Sequence, residues 1–390
     1  MVGNKSKVWN WITYLLIGLY GVACFYLYYM QSIQPMVADV RVYESDLPFH
    51  ISMIVDDGWY YSFTAYAYQL LYWLAGGSTL LIAAFLAIVS VATVFATEKL
   101  LRVLEVKYVN TMAAALVLNF VMPCYVPFVG QYRYVSYQSG NLWHNSTYLC
   151  MRLVAIVCMI LYLEMAEAYK EKMNWKKWLW FAVVLVVCTG IKPSFLTVFA
   201  PAMALKLLYD LIKKVPFKNI FWFGCSVLPA CGVVFWQNAV LFGEETGQGF
   251  TISPWQTFSL HANIPKLAVV CSIAFPVVLT LCLLKELCKD SRFFFAWMMA
   301  GIGFLEALLL VETGSRSRDG NFLWGYCFAI FYLFVLCLSK WQALWGTIKG
   351  AAIWEKIVIM ACGLVLVYQL YCGCEFYIRL LCGETYFMMR

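Results

Sequence analysis

Charge and histidine are scarce in this chain: only 13% of its 390 residues are Asp, Glu, Lys or Arg, and there are three histidines. It has no CxxC pair, no internal repeat, no nucleotide-binding glycine loop and no polar stretch long enough to fold as a soluble domain. These absences argue against a zinc ribbon or dithiol redox centre, a solenoid, and a Rossmann or P-loop nucleotide site. What the chain has instead is apolar surface, with 63% hydrophobic and 18% aromatic residues, against an apolar share of roughly 45–50% in soluble domains. This composition is that of a polytopic, all-α membrane protein.

A membrane-crossing helix needs about 20 mostly apolar residues, because every backbone amide in lipid must be paired within the segment. Eleven runs meet that description: 9–30, 78–97, 109–130, 146–168, 178–191, 195–213, 219–242, 266–285, 293–311, 322–339 and 357–373. Residues 1–390 then form a single transmembrane domain. The fifth and sixth runs meet at Lys192-Pro193-Ser194, where proline ends one helix and a tight hairpin is expected.

Basic residues set the orientation, since cytoplasmic loops retain the excess of Lys and Arg. Nineteen of the 28 lie in alternate loops, including Lys99, Arg102, Lys170, Lys177, Lys206, Lys214, Lys289 and Lys340. The amino terminus is therefore expected inside and the carboxyl terminus outside. The net charge of +7 belongs to those cytoplasmic collars, so no nucleic-acid partner is inferred. The first run lacks a small-residue cleavage site and reads as a retained anchor. Most of the 16 cysteines, such as Cys158, Cys188, Cys225 and Cys271, lie in apolar runs and behave as small hydrophobes. Cys372, Cys374 and Cys382 cluster at the outer end, where a disulfide is an open alternative.

On this topology all three histidines, His50, His144 and His261, fall in outer loops. The first outer loop, 31–77, contains Asp39, Glu44, Asp46, Asp56 and Asp57 against the single basic Arg41. Pro48–Val55 suits a short interfacial helix with Asp46 at its start, and Tyr60–Leu74 an aromatic amphipathic stretch. A carboxylate partly desolvated at the lipid boundary can have a raised pKa and act as a base. The plainer alternative is a solvated acidic loop that caps helices.

In the second outer segment, Trp143-His144-Asn145-Ser146-Thr147 runs into the fourth span, and Asn145 or Ser146 can cap it, turning amino-terminal amides toward an anion. Asn145-Ser146-Thr147 also matches the glycosylation triplet. Arg152, one to two turns deeper, should face a polar cavity or partner, or else snorkel to the headgroups. Lys192 at the hairpin can pair with a phosphate or snorkel in the same way. The densest polar sequence runs from Glu312 through Gly314, Arg316, Arg318, Asp319 and Gly320 to Asn321, where two arginines among glycines can clamp a phosphate; a simple Asp319-Gly320 turn is the alternative. Three outer histidines with acidic neighbours leave a divalent metal, Mg or Mn, as a lesser reading, since their spacing matches no compact ligand motif.

The long acidic first outer loop, the many spans and the late basic outer loops resemble the GT-C superfamily of lipid-linked-sugar glycosyltransferases. Within it, Ser45-Asp46-Leu47-Pro48-Phe49-His50, Trp143 through Tyr148, Lys192-Pro193-Ser194-Phe195 and Gly320 through Gly325 are similar to a group of bacterial members. The resemblance implies inverting sugar transfer on the outer face of the bacterial cytoplasmic membrane. The donor would be a polyprenyl-phosphate-linked sugar entering from membrane lipid, and the acceptor a cell-envelope glycan or lipid. Asp46 is expected as the base with Asp57 in reserve, His50, His144, Asn145, Arg152, Lys192, Arg316 and Arg318 around substrate or phosphate, and no assigned metal ligand. Two other classes stay open: a transporter or flippase with Glu164, Glu306, Arg152 and Lys192 along a polar path, against which no glycine- or proline-broken helix pair stands out, and an acyl or phosphate-group transferase with His144 or His50 as base.

Overall fold

The computed structural model describes residues 2–34, 42–56, 58, 60–130, 142–241, 249–284 and 289–385. Sixteen α-helices are described: α1 Val2–Ser32, α2 Leu47–Val55, α3 Phe63–Leu74, α4 Leu80–Val103, α5 Thr111–Phe120, α6 Ser146–Met165, α7 Trp175–Ile191, α8 Ser194–Ile212, α9 Phe217–Cys225, α10 Leu228–Leu241, α11 Gln256–His261, α12 Pro265–Ser272, α13 Ala274–Cys282, α14 Ser291–Leu309, α15 Leu323–Thr347 and α16 Ile353–Leu381. Two three-residue strands, β1 Phe250–Ile252 and β2 Leu310–Glu312, pair antiparallel with Phe250 opposite Glu312. The protein is an all-α integral membrane protein.

Eight segments among the described residues are long and apolar enough to cross a membrane, and a ninth if the bent pair α12–α13 is one span. Eleven were expected from hydropathy, and the two shortfalls have local causes. The 109–130 run stops being helical at Phe120 after ten residues, because Val121–Val126 continues without helix and Met122 N–H donates instead to Gln369 O at 3.1 Å. The 178–191 run belongs to α7, whose 17 residues begin with Trp175-Lys176-Lys177 and so include a polar first turn.

The 266–285 run is broken by 70° at Ile273. Gln369, fully buried in α16, makes the break tolerable: its Nε2 donates to Cys271 O and Ser272 O, each at 3.2 Å, and its Oε1 accepts from Phe275 N–H at 3.3 Å. One amide side chain thus satisfies three backbone groups that lipid could not. At the same level, a Cβ on Gly373 would lie 1.5 Å from Phe120 O, so only glycine permits α16 to meet the end of α5. A broken helix and a truncated one therefore converge on one stretch of α16, an arrangement that hydropathy and the positions of glycine and proline did not reveal.

The core is built around α15. From Leu323 to Leu338 every residue is buried, the condition of a helix that is apolar on all faces and surrounded by others. It packs on α14, α8 and α13. Close approach to α8 requires Gly325, whose added Cβ would meet Ser194 O at 2.5 Å.

The short helix expected at Pro48–Val55 is α2, with Asp46 as its N-cap residue and Leu47, Ile51, Met53 and Ile54 buried. Asn145 caps α6, accepting from Tyr148 N–H at 2.8 Å. It is itself only 3% exposed, which fits the cap and leaves no surface for a glycan. No disulfide joins Cys372, Cys374 and Cys382.

Candidate active site

Helix ends bring the site together. The amino terminus of α2, the residues before α6, the α7–α8 hairpin and the α14–α15 loop all meet at one end of the bundle. Asp46 is pinned there by its backbone, whose N–H donates to His144 O at 2.8 Å. Its side chain is gripped at both oxygens: Asn145 Nδ2 donates to Oδ2 at 2.7 Å, and His144 Nε2 lies 3.3 Å from Oδ1. The carboxylate is still accessible, with 34% of the side chain exposed.

Burial pushes the Asp46 carboxyl up, but His144, His50, the Asn145 hydrogen bond and Lys192 together outweigh it and hold it below the usual carboxylate range. A raised pKa was expected of a carboxylate at the lipid boundary. The opposite holds because two imidazoles, an amide and an ammonium surround it. Asp46 is thereby an ionised group at neutral pH, suited to stabilising positive charge.

His50, one turn along α2, directs Nδ1 to Ser146 Oγ at 3.2 Å. Burial, despite the pull of Asp46, with Lys192, His144 and Arg316 adding to it, pushes its pKa down to about 4. It is neutral at pH 7. Beneath it lies a cavity of about 10 Å³ whose lining includes Tyr61, Thr64, Tyr68 and Thr147. That is room for one water, next to the unpaired Thr64 Oγ1 and Tyr68 hydroxyl.

Lys192 is the extended residue between α7 and α8. Its Nζ donates to Thr147 Oγ1 at 3.3 Å and stands 5.1 Å from the centre of the Trp324 ring. Burial pushes the ammonium down to about 8, opposed by Asp46 and helped by Arg316. Trp324 also stacks on His144, at 6.4 Å between centroids, and packs at a tilt against Tyr148 at 5.1 Å. It is the floor of the site, a role its place in an apolar helix did not signal.

The α14–α15 loop closes one side. Arg316 lies 3.4 Å from Glu312 and 3.5 Å from Asp319, while Asn321 Nδ2 donates to Glu312 at 2.5 Å. The β1–β2 ladder fixes Glu312 in turn. Arg316 belongs to the electrostatic neighbourhood of both His50 and Lys192. The two arginines do not form a matched clamp: Arg316 is tied to its own loop's acids, and Arg318 is exposed.

Asp46, His50, His144, Asn145, Lys192 and Arg316 are thus brought together. Arg152 is not: it is fully buried below the site, donating to Asn119 Oδ1 at 3.3 Å and stacked 3.7 Å from the Phe331 ring centre. Asp57, Trp59, Arg133 and the loop acids Glu244 and Glu245 lie outside the described residues, as does the side chain of His261. No group of three or more His, Cys, Asp or Glu among the described residues is arranged to hold a metal ion. Glu164 pairs with Lys177 at 2.7 Å and Glu306 accepts from Thr197 at 3.0 Å, so each has a local partner. Neither a family model nor a curated protein matches the chain.

Proposed function

We propose that the protein is a GT-C-like glycosyltransferase of the bacterial cytoplasmic membrane, oriented with its amino terminus inside and its carboxyl terminus outside. It would transfer a sugar from a polyprenyl-phosphate-linked donor to a hydroxyl of a cell-envelope glycan or lipid on the outer face, with inversion. The observation that carries this reading is an ionised, accessible carboxylate, Asp46, in the electrostatic neighbourhood of Lys192, which Arg316 also shares. Sugar transfer of this kind breaks the bond between the anomeric carbon and the phosphate oxygen while the acceptor oxygen forms a new one. Positive charge develops at carbon and negative charge on the departing lipid phosphate. Asp46 faces the first charge, and Lys192, with Arg316 and the exposed Arg318, the second. The acceptor proton passes to the Asp46–His144 pair, in which the carboxylate holds the imidazole.

The test is transfer in proteoliposomes from radiolabelled polyprenyl-phosphate hexoses to glycan and glycolipid acceptors. Transfer that disappears in Asp46→Asn, with insertion unchanged, supports the reading. Undiminished transfer by that variant overturns the role of Asp46, and absence of transfer with every donor overturns the class. A transporter is the second reading, favoured by the broken α12–α13 pair, because interrupted helices within a membrane often line substrate paths. Substrate flux without consumption of the donor would select it.

A further inference from the structure

Arg152 presents a problem that the Asp46 site does not solve. Its guanidinium is completely buried in α6, and Nε and Nη1 have no hydrogen-bond partner. Its other contacts are neutral: the Asn119 side-chain carbonyl, the face of Phe331 and the neighbouring Tyr148 hydroxyl. The strongest electrostatic neighbours are Tyr148, Tyr20 and Cys327, with no carboxylate among them. Three further buried polar atoms in the same region also lack partners, the Tyr148 and Tyr20 hydroxyls and Trp143 Nε1. Tyr148 is one turn from Arg152 on α6, and Tyr20 lies beside both Trp143 and Arg152.

Guanidinium and indole N–H groups only donate; the two tyrosine hydroxyls can accept from them, but nothing in the set carries the negative charge that a buried guanidinium calls for. A water would add an acceptor and not that charge. We propose that Arg152, Tyr148, Tyr20 and Trp143 form a buried binding site for a small monovalent inorganic anion, chloride being the abundant example. The surroundings define the size and charge of the ligand. Phe120, Phe376 and Tyr377 pack around Trp143, Phe120 and Tyr377 also around Tyr20, and Phe331 covers the guanidinium. Such aromatic walls admit an anion that sheds its water easily and disfavour sulfate or phosphate, whose dehydration is more costly. The site is separate from the proposed sugar transfer and stands whether or not that activity exists.

The experiment uses the full-length protein, purified in detergent in sodium gluconate. Binding of radiolabelled chloride is measured by scintillation proximity, and thermal unfolding is followed while chloride, bromide or sulfate replaces gluconate at constant ionic strength. Expected are saturable chloride binding, displacement by bromide and not by sulfate, and a rise in Tm that follows occupancy. Arg152→Met should abolish the binding. Tyr148→Phe and Tyr20→Phe keep the packing and should each weaken it about 2- to 12-fold, the effect of one neutral hydrogen bond. Because Arg152→Met can fail to fold, the phenylalanine variants and the wild-type anion series decide independently. Absence of saturable chloride binding to the wild-type protein, or equal stabilisation by sulfate, overturns the proposal, as does affinity unchanged in both phenylalanine variants.

Discussion

Asn145 connects Asp46 to helix α6: its Nδ2 donates to the Asp46 carboxylate at 2.7 Å while its Oδ1 accepts from the backbone N–H of Tyr148 at 2.8 Å. One side chain therefore stabilises both the helix start and the charged state of the carboxylate. Asn145→Ala should cost about 1 kcal/mol of stability through the lost cap and also release Asp46 Oδ2. Asn145→Asp retains the cap but sets a second carboxylate against Asp46, raising the Asp46 pKa. Thermal unfolding should show both variants less stable than wild type at neutral pH, with Asn145→Asp recovering at lower pH as one of the paired carboxyls takes up a proton, whereas transfer activity should fall in both. Equal activity in wild type and Asn145→Asp would show that the charge on Asp46 is irrelevant.

Lys192 gives an alkaline limit. Its ammonium, lowered to about 8, loses its charge as pH rises through that value, so transfer should decline above pH 8. Lys192→Arg keeps the charge and should shift the decline upward; Lys192→Met should lower activity at every pH. Stability changes the other way. A lysine lowered in the folded state from its ordinary 10.4 or so favours the folded form increasingly between about pH 8 and 10.4. A pH–rate profile for Lys192→Arg that overlays wild type would remove Lys192 from the phosphate side.

His50 makes an acid-side prediction. Its folded pKa of about 4 lies below the unfolded value near 6.5. The unfolded chain takes up this proton first, so the neutral-pH stability associated with His50 is lost as pH falls from about 6.5 toward 4. His50→Gln, uncharged throughout, should flatten the pH dependence of unfolding in that window. An unchanged slope in His50→Gln would mean that the imidazole already titrates normally.

Gln369 anchors the interrupted helix. Gln369→Leu leaves Cys271 O, Ser272 O and Phe275 N–H without their side-chain partner. Cys271 O keeps the Cys124 N–H at 3.1 Å, so two groups are left unpaired, and at roughly 1–3 kcal/mol for each a loss of about 2 kcal/mol or more is expected. Gln369→Glu, which retains only acceptor oxygens when ionised, should fare no better. A Tm within a degree of wild type for Gln369→Leu would mean that water takes over those contacts.

Helix type and most boundaries were legible from hydropathy, because long apolar runs have one stable form in lipid. α2 with Asp46 at its head, the Asn145 cap and the Lys192 turn could also be read, since each depends on a local residue preference. The places where legibility failed are tertiary. The ends of α5 and α12 are set by Gln369 and Gly373, about 100 and 250 residues away in the chain, and no local pattern encodes that. The same holds for Asp46: its position in a loop suggested desolvation, but the sign of its pKa shift comes from His144, Asn145, His50 and Lys192. The pairing of Arg316 with both Glu312 and Asp319 was likewise not read from the loop. Trp324 stood within the Gly320–Gly325 segment, but nothing in that segment showed that its ring would meet Lys192 and His144.

The Asp46, His144, Lys192 and Arg316 groups stand at the tips of separate helices, with only the short β1–β2 ladder joining part of the rim. Helices tilt to match the hydrocarbon depth around them, so a thinner or thicker bilayer would move those tips by different amounts. Acyl-chain length should consequently act on this site as a tuning variable, altering the spacing between Asp46 and Lys192 without any change in amino-acid sequence.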